Sequence, residues 1–236
     1  MGLIINCDLG ENESEAQTRA LLGQIDAANI GCGVHAGSAA KTAATIALAH
    51  EMGVKVGAHP GVAIEGGRGQ LAMRPDEFCA LLESQVGGFL ETAGALGASV
   101  HHLKLHGSLY HAVEVNPALR EALLDWLSAH TDLVLFSMAE GVCLRAALDD
   151  GRVVYGELFA DRGYLSDGRL VPRGAAGALI DDVGAAVSRL KRWLATGRMQ
   201  TVDGSELRMA GDTVCVHSDS PHSLELLSGL RTLLAS

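Results

Sequence analysis

Six residues suited to moving protons recur at one place in a repeated pattern. Asp8, His35, His59, His106, Asp161 and His217 each close a short segment in which polar and apolar positions alternate. Imidazoles exchange protons near neutral pH and carboxylates accept protons or stabilise cations, so a cluster of the two suits general acid/base hydrolysis. The same groups bind divalent metals, and Asp8, His35 and His59 could supply an O/N/N set for zinc or manganese. No tightly spaced metal motif such as H-E-x-x-H accompanies them. Taken singly, each histidine also fits a hydrogen-bonded strand end; the shared phase of six ionisable residues is what points to a pocket.

That phase follows from strand geometry, in which alternate side chains face opposite sides. Ile4, Asn6 and Asp8 share one face, opposite Leu3, Ile5 and Cys7. Asn29, Gly31, Gly33 and His35 oppose Ile30, Cys32 and Val34, while Lys55, Gly57 and His59 oppose Val54, Val56 and Ala58. His102, Lys104 and His106 oppose Leu103 and Leu105; Glu157 shares parity with Asp161; Thr213, Cys215 and His217 oppose Val214 and Val216. Lys104, inside a strand, needs a carboxylate partner such as Asp8, Glu157 or Asp161, and a purely structural ion pair is the plain alternative to a substrate contact.

The elements that position these residues alternate from end to end. Strands are expected near 3–8, 28–35, 54–59, 99–106, 132–137, 153–161 and 213–217. Helices are expected near 15–24, 38–52, 75–97, 117–130, 139–149, 181–197 and 221–235. Ser38, Asn116 and Ser220 suit N-caps, Pro75, Pro117 and Pro221 suit first turns, and Gly53, Gly97 and Gly197 suit C-caps. Residues 60–74 and 161–180 read as irregular, with a hairpin around residues 201–207. Strand-helix alternation implies parallel strands with helical crossovers, either as an open sheet or as a closed (β/α) TIM-like barrel of about seven strands. In a barrel all six polar ends converge on one rim, the catalytic face of such folds.

Composition narrows the class. The 236 residues suit one domain spanning 1–236, without linker, repeat or low-complexity tract. Glycine supplies 29 of 236 positions, about 12% against a typical ~7%, so small residues carry much of the packing. A formal charge of −10 disfavours nucleic acid and anionic membrane surfaces. No apolar run approaches the ~20 residues of a membrane span. Five scattered cysteines without a C-x-x-C pair read as reduced thiols and not as a structural zinc site, and a start without a basic leader fits a cytoplasmic protein. Gly31-Cys-Gly33-Val-His-Ala36 imitates a dinucleotide fingerprint, but His59 stands where the ribose-binding acid belongs, so that reading is rejected. The helix start at residues 36–38 could still hold an anion, or be a tight turn only. There is no Walker loop and no G-x-S-x-G elbow.

Several segments together resemble one family. They are Asn6-Cys-Asp-Leu-Gly-Glu11, Ala28-Asn-Ile-Gly-Cys-Gly-Val-His-Ala-Gly37, Val56-Gly-Ala-His-Pro-Gly61, Lys104-Leu-His-Gly-Ser-Leu-Tyr110, Phe159-Ala-Asp-Arg-Gly-Tyr164 with Val171-Pro-Arg173, and Cys215-Val-His217. In this order they are similar to the LamB/YcsF family, regarded as the A subunit of prokaryotic 5-oxoprolinase. The resemblance implies a distorted (β/α) barrel of the glycoside hydrolase/deacetylase group. The chain departs from the family pattern at Val34, Ser38, Leu105, His111 and Ser218, and most of all at residues 62–69, where only Arg68 is kept as a candidate.

The resemblance further implies ATP-dependent opening of 5-oxo-L-proline to L-glutamate through a phosphorylated intermediate. ATP would be the co-substrate, used with partner subunits B and C, which fits the missing Walker loop. On this reading Asp8 or His106 is the general base, and His59 or His217 protonates the leaving nitrogen. Lys104, Arg162 and Arg173 hold carboxylate or phosphoryl oxygens, Glu11 orients a histidine or Lys104, and His35 and Asp161 complete the substrate contacts. Two alternatives stand beside it: a metal-dependent amidase or deacetylase acting alone, and a non-catalytic partner subunit with a vestigial rim.

Overall fold

A computed structural model of the chain describes residues 2–64, 67–69 and 71–235. Part of the divergent stretch 62–69, residues 65 and 66, lies outside the described residues. Seven parallel strands close into a barrel: β1 (Ile4–Leu9), β2 (Ala27–Gly31), β3 (Lys55–His59), β4 (Val100–Lys104), β5 (Val134–Met138), β6 (Val154–Phe159) and β9 (Thr213–His217). β9 pairs with both β1 and β6, which shuts the cylinder. An antiparallel hairpin, β7 (Arg198–Gln200) and β8 (Glu206–Arg208), lies outside it and flanks the turn expected at 201–207.

Eight helices are described: α1 (Glu15–Leu22), α2 (Ala39–Glu51), α3 (Pro75–Ala95), α4 (Gly107–Val115), α5 (Pro117–Ser128), α6 (Val142–Asp149), α7 (Val183–Thr196) and α8 (Ser223–Leu234). Several stop and start where side chains can satisfy free backbone groups. Ser38 accepts from the Lys41 amide at the head of α2, Asn116 caps α5, and Gly197 ends α7 in the left-handed region at φ +68°. Ser220 does not cap α8, because the chain makes a further turn through Pro221 and the helix begins only after His222. Among the described residues, no helix is long and apolar enough to cross a membrane.

Strand phase divides the interior into an outer and an inner core. Outward residues such as Ile5, Cys7, Ile30, Val56, Leu103, Leu158 and Val214 pack beneath the helices in the main apolar cluster. The inward residues Ile4, Ala27 and Phe136, with Val134 and Tyr155, form a separate apolar plug at the amino end of the barrel. Above the plug the lumen turns polar. Asn6 Nδ2 donates to Thr213 Oγ1 at 2.7 Å, Asn29 Nδ2 donates to Asn6 Oδ1 at 2.7 Å, and His102 Nε2 meets Asn29 Oδ1 at 2.8 Å. Gly57 makes that crossing possible, since a Cβ there would lie 2.0 Å from His102 Nε2. Burial holds the His102 ring well below its usual pKa, so it is neutral; Nε2–H donates to the amide oxygen.

Three of the expected strands are shorter than their sequence pattern. β2 stops at Gly31, β4 at Lys104 and β6 at Phe159, so His35, His106 and Asp161 stand on the loops that leave the strands. Loop placement frees their side chains from the pleat and lets them turn toward one another.

Candidate active site

A cavity of about 900 Å³ opens at the carboxyl end of the barrel, with Asp8, Lys104, His59, His106 and His217 in its lining. Its floor is a buried ion cluster. Lys104 Nζ donates to Asp8 Oδ1 at 2.8 Å and to Cys215 Sγ at 3.1 Å and forms an ion pair with Glu157 Oε1 at 2.9 Å. Burial opposes the lysine's charge, yet Asp8 and its neighbours hold Lys104 well above the usual lysine value. Burial would likewise raise the Asp8 carboxyl, but Lys104 and His59 hold it well below the usual range. Asn29 Nδ2 adds a 2.7 Å hydrogen bond to Asp8 Oδ1, tying the floor to the amide network beneath.

One wall carries three histidines around one carboxylate. His59 Nδ1 faces the carbonyl oxygen of Lys104 at 2.8 Å, so this nitrogen carries the proton and donates it. In the neutral ring Nε2 is therefore a lone pair, and it lies 2.8 Å from His106 Nδ1 and 3.5 Å from Asp8 Oδ2. Glu11 Oε1 is 3.1 Å from His35 Nε2 and 3.5 Å from His106 Nδ1. The rings of His35 and His106 stack at 3.9 Å with 13° between their planes. Burial, then His59 and His35, pushes His106 down to about 3, which keeps it neutral at physiological pH. Burial favours a protonated Glu11, but the hydrogen bond from His35 wins and lowers it. Among the described residues, Nδ1 of His35 is buried without a hydrogen-bond partner. With Nε2–H donating to Glu11, that orphan is an unfilled lone pair, a smaller cost than an unmade N–H bond.

The opposite wall carries one histidine backed by its own carboxylate. His217 Nδ1 lies 3.0 Å from each oxygen of Asp161, and the His217 amide donates to Asp161 Oδ2 at 2.9 Å. Burial disfavours the charged ring, but Asp161 outweighs it and raises the His217 pKa. The imidazole also stacks on Phe159, with centroids 5.8 Å apart.

The cationic candidates lie farther out. Arg162 lines the cavity while its Nε and Nη2 donate to the carbonyls of Ala178 and Val171, bracing the 161–180 loop. Arg173 is partly exposed at the cavity edge, 3.4 Å from Asp219, and Arg68 lines the same space. Of the proposed metal set, His35 and His59 come together with Glu11 and His106, whereas Asp8 groups with Cys215 and His217. Sequence reasoning passed over Asn29 as a partner of Asp8, although its inward phase was visible. It also missed Tyr110 and His111, which line the cavity from α4, an element not expected from the sequence. Burial, then Glu157, pushes the Tyr110 hydroxyl well above its usual value, so it remains protonated.

A closed parallel barrel with its ionisable residues gathered at the carboxyl rim has the layout of a barrel enzyme. The chain belongs to the LamB/YcsF family, whose profile matches residues 3–236. It is 36% identical to the 5-oxoprolinase A subunit of Bacillus subtilis, over 98% of this chain and 92% of that one. Its identity to the 5-oxoprolinase A subunit of Brevibacillus brevis is 34%, over 98% and 93%. The crystal structure of a lactam utilization protein from Thermus thermophilus superposes with a TM-score of 0.90 at 31% identity, covering 100% of this chain and 96% of that one.

Proposed function

We propose that this chain is the A subunit of an ATP-dependent 5-oxoprolinase and carries out the hydrolytic opening of 5-oxo-L-proline to L-glutamate. The observation that carries the proposal is the pair of unlike walls on one cavity, with a neutral imidazole at His106, beside His59, facing an Asp161-backed His217. Groups whose surroundings drive their proton affinities apart are the natural base and acid of one reaction. The names of the relatives supply the substrate class.

A lactam resists water because resonance shares the nitrogen lone pair with the carbonyl. Phosphorylation of the amide oxygen, with ATP and partner subunits B and C, removes that protection. Water then adds to the ring carbon and gives up its proton to the His59–His106 wall. The C–N bond breaks with its electron pair on nitrogen, which takes a proton from His217. A second water releases glutamate and inorganic phosphate from the resulting acyl phosphate. Asp8 lies on the cavity floor, and Lys104, buried between Asp8 and Glu157, positions Asp8 rather than gripping substrate. Arg173 and Arg68 hold the substrate carboxylate or phosphoryl oxygens.

Glutamate release from 5-oxoproline and ATP tests this reading with the chain alone, with B and C subunits alone, and with all three combined. Release only from the full mixture is expected. B and C subunits that gain nothing from this chain would refute it, and turnover by the chain alone without ATP would point to a stand-alone amidase.

A further inference from the structure

We infer that Glu11, His35, His59 and His106 form a binding site for a borderline-soft divalent cation, zinc in the first instance, within the cavity wall. One ligand atom from each residue lies within 4.8 Å of the other three. Three of the six separations are 3.1 Å from Glu11 Oε1 to His35 Nε2, 3.5 Å from Glu11 Oε1 to His106 Nδ1, and 2.8 Å from His106 Nδ1 to His59 Nε2. Tetrahedral zinc with bonds of about 2.0–2.1 Å separates its ligands by roughly 3.3 Å, so these three pairs lie near that spacing and the remaining pairs, within 4.8 Å, would draw in on the ion. Three imidazoles and one carboxylate are a donor set for zinc and its neighbours and a poor one for magnesium or calcium.

The surroundings are built to the same end. His59 donates Nδ1–H to the Lys104 carbonyl, the outer contact that fixes a ligating histidine with its other nitrogen free. Glycines leave room for the other two rings: a Cβ on Gly61 would lie 2.6 Å from His35 Nδ1, and one on Gly67 would lie 2.5 Å from His106 Cδ2. The contrast with the second potential set is instructive. Asp8, Cys215 and His217 also converge, but the Lys104 ammonium already sits 2.8 Å from Asp8 and 3.1 Å from Cys215 and serves as their cation. Among the described residues, the ion pairs of Glu11 are with His35 and His106 alone, so its charge meets no lysine or arginine.

His59 and His106 line the cavity, so an ion held there borders the substrate space. Four protein ligands close a tetrahedral shell and leave no position for a bound water, so the ion would occupy the lone pairs of His59 and His106 and leave Asp8 as the base for the attacking water. That chemical role rests on the function proposed above; the site itself does not. Both stacked rings can present their lone pairs to one ion only by opening from the 13° arrangement, so uptake should change the environment of His35 and His106 together.

The test needs neither partners nor substrate. Protein stripped with chelator, reloaded with zinc and desalted should retain one equivalent by elemental analysis, and Glu11→Gln and His35→Gln proteins should lose it. The cobalt(II) form of the wild type should show the intense visible bands of a tetrahedral N/O site, a readout that survives any folding defect in the variants. Wild-type protein without retained zinc, weak octahedral cobalt bands, or equal retention by folded variants would each overturn the site. Zinc retention in a protein that forms no glutamate with B and C subunits would refute the 5-oxoprolinase reading and leave the metal site standing.

Discussion

The two walls of the cavity use the same side chain to opposite effect. On one, His106 has two imidazoles beside it and a single shared carboxylate, and it is driven down to about 3. On the other, His217 has Asp161 to itself with both oxygens at 3.0 Å, and it is driven up. Burial is common to both and favours the neutral ring in each, so it does not separate them. What separates them is the ratio of carboxylates to imidazoles within hydrogen-bond reach. The role of a histidine at this rim is therefore set by a residue on another loop and not by its own strand.

The comparison breaks most visibly under loss of a member. With B and C subunits present, His106→Ala and His217→Ala should each lower glutamate formation by about 100- to 10,000-fold, the usual worth of a positioned acid or base. His101→Ala, outside the cavity lining, should stay close to wild type. Equal tolerance of all three would leave the rim without a catalytic role. Next in size is the floor that both walls share. Lys104→Met strands Asp8 and Glu157 without their cation, and urea unfolding should show a loss of about 3–5 kcal/mol. A loss below about 1 kcal/mol would mean that the floor carboxylates are protonated in the native protein. Smaller again is Asp161→Asn, which leaves burial as the main influence on His217. Its ring should then titrate lower by NMR, while His106 is unchanged.

Much of this architecture was legible from the residues. Period-two phase assigned Asp8, His59, Lys104 and His217 to the lumen, and the strand-helix alternation carried the parallel topology. Lys104 does pair with Asp8 and Glu157, two of the three candidates for the carboxylate partner its burial required. Phase says which face a residue occupies, however, and not where around the barrel it sits. Asn6 meets Thr213 across 207 positions and Lys104 meets Asp8 across 96, so the sorting of histidines into two walls depends on closure of the cylinder. The α4 helix was hidden for a local reason. It starts at Gly107, directly after the β4 exit, with His106 at its N-cap position and no side-chain cap. Asn116 looked only like the start of α5, yet it also ends α4. The missed helix is the one that carries Tyr110 and His111 into the cavity.

The smallest effect is the sharpest test of the contrast, because its sign differs between the walls. In chelator-treated protein His106 has a folded pKa of about 3, below the ordinary histidine value, so between the two the unfolded state binds more protons. Its contribution to stability is present above about pH 6.5 and is lost as pH falls toward the folded value. His217 is raised, so its contribution is fully present below about pH 6.5 and is lost as pH climbs through its folded value. Asp8, Glu11 and Asp161 are all held below their usual values and stay ionised through the window from pH 5 to 8. Replacing His106 with Gln should therefore flatten the rise of stability with pH on the acid side. Replacing His217 with Gln should remove a fall on the alkaline side. Each change is bounded by about 1.4 kcal/mol per pH unit for one proton, which urea midpoints at closely spaced pH values can resolve. Changes of the same sign in both variants would show that the two walls do not hold their histidines in opposite states.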